Sequence, residues 1–380
     1  MNPSIKHALL YAGLFCGLTL TASAANAQVA SNVSPTAMRS AGELDAIFAS
    51  AKPMERKLER APSDLDKLPK SGTSGPLPSV RNAVTGPTTR ASFAPGSAKS
   101  GARISARNYG ASNLNTIYHF SDSQVDTELM DDFPYRAVGW YLFRASDNYW
   151  YRCSASLISS SILVTAGHCV HHGGTKAAGW NKEGYFYPAR TGTANPYGYA
   201  PVVQLWTTSG WYNTGSLDAG YDLGVVVLGK RATTTREIGS YTGTLGFCYA
   251  NCLQPYWSIA QLGYPWNYSN GDYLSESDHL DVSDSRDFRY GTGMQGGSSG
   301  GPSVANLGAL SDAASYKGAY ANRNIVFAVT SWGYDNQTIM IGGSTTLSGP
   351  GNANNFRAMF NGACTTARGL HGTASCVPLS

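Results

Sequence analysis

Large apolar and β-branched residues cluster in short bursts along most of this chain. The runs Val138 to Phe143, Ser161 to Val164, Val202 to Trp206, Leu223 to Leu228, Ile259 to Gly263 and Ile325 to Ser331 are each a few residues long. Gly, Asn, Ser and Asp separate them, which is the punctuation of strands joined by turns. No helical spacing runs between these bursts, so the pattern from about residue 116 onward predicts an antiparallel sandwich or barrel. A helix is expected near the end, over Asn354 to Ala363, carrying Phe356, Met359 and Phe360. A second is expected near the start. Ser40-Ala41-Gly42-Glu43 has the spacing of a capping box, and Leu44, Ile47, Phe48 and Ala51 follow at helical intervals.

Two stretches break from this texture. Residues 1–27 combine Lys6, an apolar run from Leu9 to Leu20 and Ala25-Asn26-Ala27 before Gln28, the layout of a signal peptide. That apolar run is too short for a comfortable bilayer span, and no later one is longer, so the mature form is expected to be soluble. From Ala61 to Gly110 the chain is rich in Pro, Gly, Ser and Thr with few large apolar residues, a composition that does not order itself. Residues 28–115 therefore read as a pro-segment or flexible linker, and 116–380 as the folded domain.

Composition narrows the class. The chain has 380 residues, 14% of them charged, with 43 Gly, 23 Tyr and a net charge of +4. That suits an all-β exported protein and is too little charge to argue for nucleic acid or an anionic membrane. Of the seven cysteines, Cys16 falls in the expected signal peptide. The others fall into sequence-neighbour pairs, and disulfides Cys153–Cys169, Cys248–Cys252 and Cys364–Cys376 are the expectation in a secreted chain, extracellular or periplasmic, although other connectivities stay open. A zinc site on Cys248-x-x-x-Cys252 lacks a second pair of matching spacing.

Three segments carry candidate chemistry. Serine is a nucleophile only when a base takes its proton, and that base needs a third group to fix its tautomer. In Leu163-Val164-Thr165-Ala166-Gly167-His168-Cys169 an apolar strand runs into a histidine next to a cysteine. In Tyr221-Asp222-Leu223 an aspartate heads a strongly apolar strand, where a buried carboxylate needs a partner. In Gly296-Gly297-Ser298-Ser299-Gly300-Gly301-Pro302 glycines let backbone N–H groups reach a substrate. His168 as base, Asp222 as its orienter and Ser299 as nucleophile are the candidates, with the N–H groups of Gly297 and Ser299 as an oxyanion hole.

In that order the three segments resemble the His, Asp and Ser motifs of the trypsin-like serine proteases. Ser331-Trp332-Gly333, ending an apolar strand, resembles the segment that pairs with bound peptide. Asp132-Phe133-Pro134-Tyr135 and Gly263-Tyr264-Pro265 are most similar to the bacterial glutamyl-endopeptidase-like branch. The resemblance implies two perpendicular six-stranded antiparallel β-barrels, a short C-terminal helix and a cleft between the barrels. It implies a secreted, zymogen-derived endopeptidase acting on proteins or peptides, monomeric, with no cofactor and no metal. Ser331, Trp332, Gly333 and Met294 would bind substrate.

The chain departs from the pattern at several points. Ser298 stands where trypsin-like enzymes carry the aspartate that pairs with a new N-terminus. The usual Ile-Val-Gly-Gly start is missing, and Met294 and Gln295 replace the usual cysteine. Arg103-Ile104 and Arg107-Asn108, basic residues in a flexible stretch, are the candidate processing points. No acidic side chain is contributed to the pocket by Gly291–Ser299 or Ser331–Gly333, and no histidine stands beside Trp332, so an uncharged side chain is the expected occupant; Arg286 and Arg289 are the cations within reach of an acidic one. Two other readings are weighed. His168, His171 and His172 as metal ligands would need a helix, which Gly173-Gly174 opposes; a structural Ca²⁺ among Asp126, Asp131 and Asp132 competes with solvated turns. A catalytically silent binding protein on the same scaffold would suit aromatics such as Trp206, Trp211 and Tyr212, but such proteins usually lose part of the triad.

Overall fold

The computed structural model describes residues 28–33, 39–55, 57–58, 120–217, 220–232, 234–250, 252, 259–279, 282–283, 287–308, 324–334, 336, 339–348 and 352–379. The expected signal peptide, the whole Pro/Gly-rich stretch from Ala61 to Gly110, with Arg103 and Arg107 in it, and Arg286 lie outside these residues.

The upstream part contributes β1 (Gln28–Asn32), α1 (Ala41–Ser50), β2 (Lys52–Pro53) and β3 (Lys57–Leu58). Next come β4 (Phe120–Gln124), β5 (Val138–Arg144), β6 (Trp150–Ser159), β7 (Ile162–Thr165), β8 (Glu183–Pro188), β9 (Ala200–Thr208), α2 (Ser209–Thr214) and β10 (Gly224–Leu228). The second half holds α3 (Gly239–Thr242), β11 (Gly246–Phe247), β12 (Ile259–Gly263), β13 (Ser275–His279), β14 (Val282–Ser283), β15 (Asp287–Gly291), β16 (Pro302–Ala305), β17 (Ile325–Tyr334), β18 (Ile341–Thr346) and α4 (Asn352–His371). All the strands anticipated from the apolar bursts are present.

Strands β9, β10, β7, β6, β5 and β8 pair in that order, and β8 pairs back to β9, closing a six-stranded barrel. The second sheet follows β14–β15–β18–β17–β16–β12–β13–β4, curled but with no closing pair among the described residues. The architecture is chymotrypsin-like and all-β, with one closed barrel and one open, curled sheet.

The continuous apolar runs are explained by burial on both faces. Tyr141 and Phe143 of β5 join the core inside the first barrel, with Leu157, Phe186 and Val226. Their neighbours Val138, Trp140 and Leu142 join a different cluster, on the outside of the barrel. A strand covered on both sides has no polar face to show in its sequence. Helix α4 is longer than the expected Asn354 to Ala363 and lays Phe356, Met359, Phe360, Ala363 and Ala367 into that second cluster, a single helical stripe. Cys364–Cys376 ties its last turns to the C-terminal tail, and the disulfides Cys153–Cys169 and Cys248–Cys252 form as well. No helix among the described residues is long and apolar enough to cross a membrane.

The described residues of the upstream stretch 28–58 are built into this body. Strand β1 extends the first barrel antiparallel to β9, from Gln28 opposite Thr208 to Asn32 opposite Gln204. Helix α1 carries the expected capping box, with the Glu43 N–H donating to Ser40 Oγ at 3.3 Å and the Ser40 N–H to Glu43 Oε2 at 2.8 Å. Its Leu44 and Phe48 are buried. Phe48 packs edge-on against Trp140 at 5.1 Å and Tyr187 at 4.6 Å, and the guanidinium of Arg190 lies 4.0 Å over its ring. Just before the helix, Arg39 forks onto Glu183 at 2.5 and 3.0 Å.

One core residue sets a pH response. His279 ends β13 and stacks on Tyr290 at 4.5 Å, and burial pushes its imidazole from 6.5 down to about 3. Between those two values the unfolded chain binds a proton that the native state refuses, so stability falls as pH falls through that window. His279→Phe should lose less stability than the wild type on acidification from about pH 6.5 to about pH 3, as read from urea midpoints. Parallel curves for the two proteins would contradict it.

Candidate active site

The site is assembled at the ends of strands. Strand β7 delivers the chain to Ala166, and a tight turn over Gly167–Cys169 presents His168. Gly167 is needed there because a Cβ would lie 2.9 Å from the Leu223 nitrogen and 3.0 Å from Asp222 Oδ1. The disulfide Cys153–Cys169 pins the turn to β6. Asp222 arrives from the opposite direction, just ahead of β10. Thr208 Oγ1 donates to the Tyr221 carbonyl at 2.7 Å and Thr207 Oγ1 to the Leu223 carbonyl at 2.9 Å, which fixes the backbone on both sides of it.

Asp222 is fully buried and accepts from every side that faces it. The His168 backbone N–H donates to Oδ1 at 2.7 Å. His168 Nδ1 lies 2.7 Å from Oδ2, and Ser331 Oγ donates to the same oxygen at 2.6 Å. Burial pushes the Asp222 carboxyl upward, but the imidazole of His168 and these hydrogen bonds outweigh it and hold the group below the usual carboxylate range. An ionised carboxylate only accepts, so Nδ1 of His168 carries the hydrogen and Nε2 presents its lone pair. Nε2 has no hydrogen-bond partner among the described residues.

The loop holding Ser299 is tied to the neighbouring strands β6 and β17. Gly297 and Gly300 take φ of +97° and +78°, conformations that glycine tolerates. The Ser154 N–H donates to the Ser299 carbonyl at 2.8 Å, and Ser154 is joined through Cys153 to the turn of His168. Ser154 Oγ donates to the Gly297 carbonyl at 2.9 Å and accepts from the Tyr264 N–H at 2.9 Å. Gly300 N–H donates to the Thr330 carbonyl and Thr330 N–H to the Gly301 carbonyl, at 2.8 and 2.9 Å. Ser298, at the position where the resemblance calls for aspartate, donates from Oγ to the Gln295 carbonyl at 2.7 Å. Neutral hydrogen bonds thus hold the turn.

A pocket opens beside Ser299, walled by Met294, Gln295, Trp332 and Gly333. Its floor is polar and uncharged. Gln261 Nε2 donates to Thr330 Oγ1 at 2.8 Å, and Ser344 Oγ donates to the Tyr290 hydroxyl at 3.0 Å. Met294, Trp332 and Gly333, candidates from the sequence, are among the pocket's lining residues. Ser331 does not line the pocket; its hydroxyl is spent on Asp222. Thr330 lies in the neighbourhood the sequence assigns to the pocket, whereas Ser154, Gln261 and Tyr290 are not anticipated by it. Of these only Ser154, next to Cys153 in an otherwise apolar strand, leaves a trace in the sequence.

The pocket is also lined by an upstream residue, Glu55, where an uncharged occupant is expected from the sequence. Strand β2 pairs parallel to β6, Lys52 opposite Tyr151 and Pro53 opposite Arg152. The Met54 N–H donates to the Arg152 carbonyl, and the Gly297 N–H donates to the Met54 carbonyl, both at 2.9 Å. Strand β3 then runs parallel to β17, Lys57 opposite Gly333 and Leu58 opposite Tyr334.

Other candidates are placed elsewhere. His171 Nε2 faces the Lys176 carbonyl at 2.6 Å and its ring packs on Trp180 and Tyr212. Trp211 is fully buried and donates its indole N–H to the His171 carbonyl at 2.9 Å, and so is no part of a binding surface. Asp126 Oδ1 accepts from the Glu128 N–H at 3.0 Å in a local turn.

No protein-family model matches the chain. An extracellular metalloprotease of Bacillus subtilis (strain 168) is 27% identical over 200 residues, 51% of this chain and 60% of that protein. The chain therefore matches less than two thirds of that relative's length. Among solved structures, the protease Anisep from Arthrobacter nicotinovorans superposes with a TM-score of 0.50 at 22% identity, over 64% of this chain and 99% of that one. A Glu endopeptidase in complex with MPD gives 0.46 at 22% identity, over 64% and 95%. At 22% identity the likeness to the Anisep structure is one of fold alone.

Proposed function

We propose that the chain is a secreted serine endopeptidase that hydrolyses peptide bonds through an acyl-enzyme, with Ser299, His168 and Asp222 as its triad. The observation that carries this is the buried Asp222 bonded at 2.7 Å to His168 Nδ1, with the glycine turn of Ser299 locked onto the same strand end. Nε2 of His168 takes the proton as Ser299 Oγ attacks the carbonyl carbon. The oxyanion is held by the N–H groups of Gly297 and Ser299, each commonly worth about 3 kcal/mol. His168 then gives the proton to the leaving amine, and water repeats the sequence on the ester. These steps need no cofactor, and the substrates are proteins or peptides. Export fits the three disulfides.

The relative's name raises a metal-dependent reading. Among the described residues the grouping with metal-ligand geometry is Cys153, His168 and Cys169, and both its sulfurs are consumed in a disulfide. A thiolate is what binds metal, so the grouping does not favour that reading.

A fluorophosphonate probe tests the proposal. The processed enzyme should be labelled on Ser299 and keep its activity in chelator. Ser299→Ala should melt as the wild type does and lose both labelling and turnover. A purified Ser299→Ala protein that still cleaves peptides, or a processed protein that never reacts with the probe, would overturn it; the second result is the one a silent binding protein gives.

A further inference from the structure

We infer that residues Lys52–Glu55, with Lys57 and Leu58, are a plug laid backward through the substrate cleft, and that stretch 28–58 is an inhibitor of the enzyme it is synthesised with. The inference rests on the proposed triad, because that triad defines which direction through the cleft is productive.

In a productive complex one residue supplies both the side chain in the pocket and the carbonyl at the oxyanion donors, and its C–N bond leads away from the pocket. Here those two duties fall on different residues. The side chain that lines the pocket, beside Gly296, is that of Glu55, whereas the carbonyl held by the Gly297 N–H belongs to Met54, the residue before it. The chain therefore enters the pocket amine first. If Ser299 attacked the Met54 carbonyl, the amine to be expelled would be that of Glu55, whose own side chain lines the pocket. The leaving nitrogen would stay held at the site, and the tetrahedral adduct would collapse backward: the oxyanion re-forms the Met54 carbonyl, the bond to Ser299 Oγ breaks with its electron pair on Oγ, and Oγ takes its proton back from His168. No peptide bond would be broken.

Two pairings hold the plug at its ends. Lys52 and Pro53 pair parallel to β6, and Lys57 and Leu58 pair parallel to β17. Upstream, Phe48 on Trp140 and Tyr187, and Arg39 on Glu183, anchor the plug to the first barrel away from the triad. These anchors let a short, weakly paired strand stay in place, since the second contact is made within one molecule.

The test uses the intact chain and, separately, a synthetic peptide of residues 28–58. The intact chain should react with the fluorophosphonate about 100-fold more slowly than the processed enzyme, and Phe48→Ala or Arg39→Ala in the intact chain should raise that rate by about tenfold or more. Because Phe48 is a core residue whose loss can unfold the intact chain, the peptide provides the second arm. It should inhibit the processed enzyme competitively, survive uncut by mass spectrometry, and lose about tenfold or more in affinity with the Phe48→Ala change. Labelling of the intact chain at the processed rate, or a peptide that fails to inhibit or is cleaved next to Glu55, overturns the inference. Either result with an enzyme that labels on Ser299 leaves the proposed function standing; failure of the processed enzyme to label at all removes the function itself.

Discussion

Asp222→Asn should fold as the wild type does and lose about four orders of magnitude in kcat with little change in KM, the loss seen when this constellation keeps its shape but has the wrong tautomer. The carboxylate of Asp222 accepts from three donors: the His168 N–H, the His168 Nδ1–H and the Ser331 hydroxyl. An asparagine of the same shape brings one acceptor and one NH₂ group. Where the NH₂ faces the imidazole, Nδ1 must accept, the hydrogen moves to Nε2, and Nε2 is left with no lone pair for the Ser299 proton. Asp222 lines no part of the pocket, so substrate binding is spared. The stability curve carries a second mark. Because the folded carboxyl is held below its unfolded value, its stabilisation is present above about pH 3.9 and is lost as pH falls through the folded value. The asparagine variant should lack that acid limb. Steady-state kinetics and acid titration of the melting temperature check both; a kcat within about tenfold of wild type would remove Asp222 from the mechanism.

The residues of the proposed site that the sequence can suggest are those whose chemistry is local. His168, Asp222 and Ser299 each sit where an apolar strand meets a turn, so each is flanked by its own pattern of small or β-branched residues. The capping box of α1 is likewise complete within four residues, Ser40 to Glu43. What could not be read is assembled across strands. The pocket floor brings Gln261 from β12, Tyr290 from β15, Thr330 from β17 and Ser344 from β18 into one hydrogen-bonded set, and none of the four segments announces it alone. Ser331 follows an apolar run that suggests a wall residue, and only its 2.6 Å contact with Asp222 shows where the hydroxyl is used. Stretch 28–58 is the sharpest case. Its strands are two to five residues long and find all their partners on other elements, β9, β6 and β17, so composition describes a tail while the barrels supply its order. The second sheet shows the same limit. Its strands are legible one by one, whereas whether a ring closes depends on which edges meet.

Gly300→Ala should destroy the site, and a second glycine substitution separates that effect from a general intolerance. A Cβ at Gly300 would fall on Thr165 Oγ1, 2.5 Å from the Ser154 carbonyl oxygen and 2.9 Å from the Ala166 nitrogen. None of these can swing aside. Thr165 Oγ1 is itself bonded to that Ser154 carbonyl at 2.9 Å, the Ser154 N–H holds the Ser299 carbonyl, and Ala166 leads directly into the turn of His168. Relief requires the nucleophile loop to back away from the histidine turn. The φ of +78° adds a further penalty of about 1–2 kcal/mol for any residue with a Cβ. The expected loss exceeds about 4 kcal/mol, the range of severe core lesions. The protein should either fail to accumulate or fold with Ser299 unreactive to fluorophosphonate. Gly369→Ala is the counterpart, since it lies within α4 with nothing inside 4 Å of its Cβ. Removing a helical glycine there should stabilise by about 0.5–1 kcal/mol and raise the melting temperature by about 2 °C. A Gly300→Ala protein with the wild-type melting temperature and labelling rate would show that the contact between the two loops is not what positions Ser299 in the proposed triad.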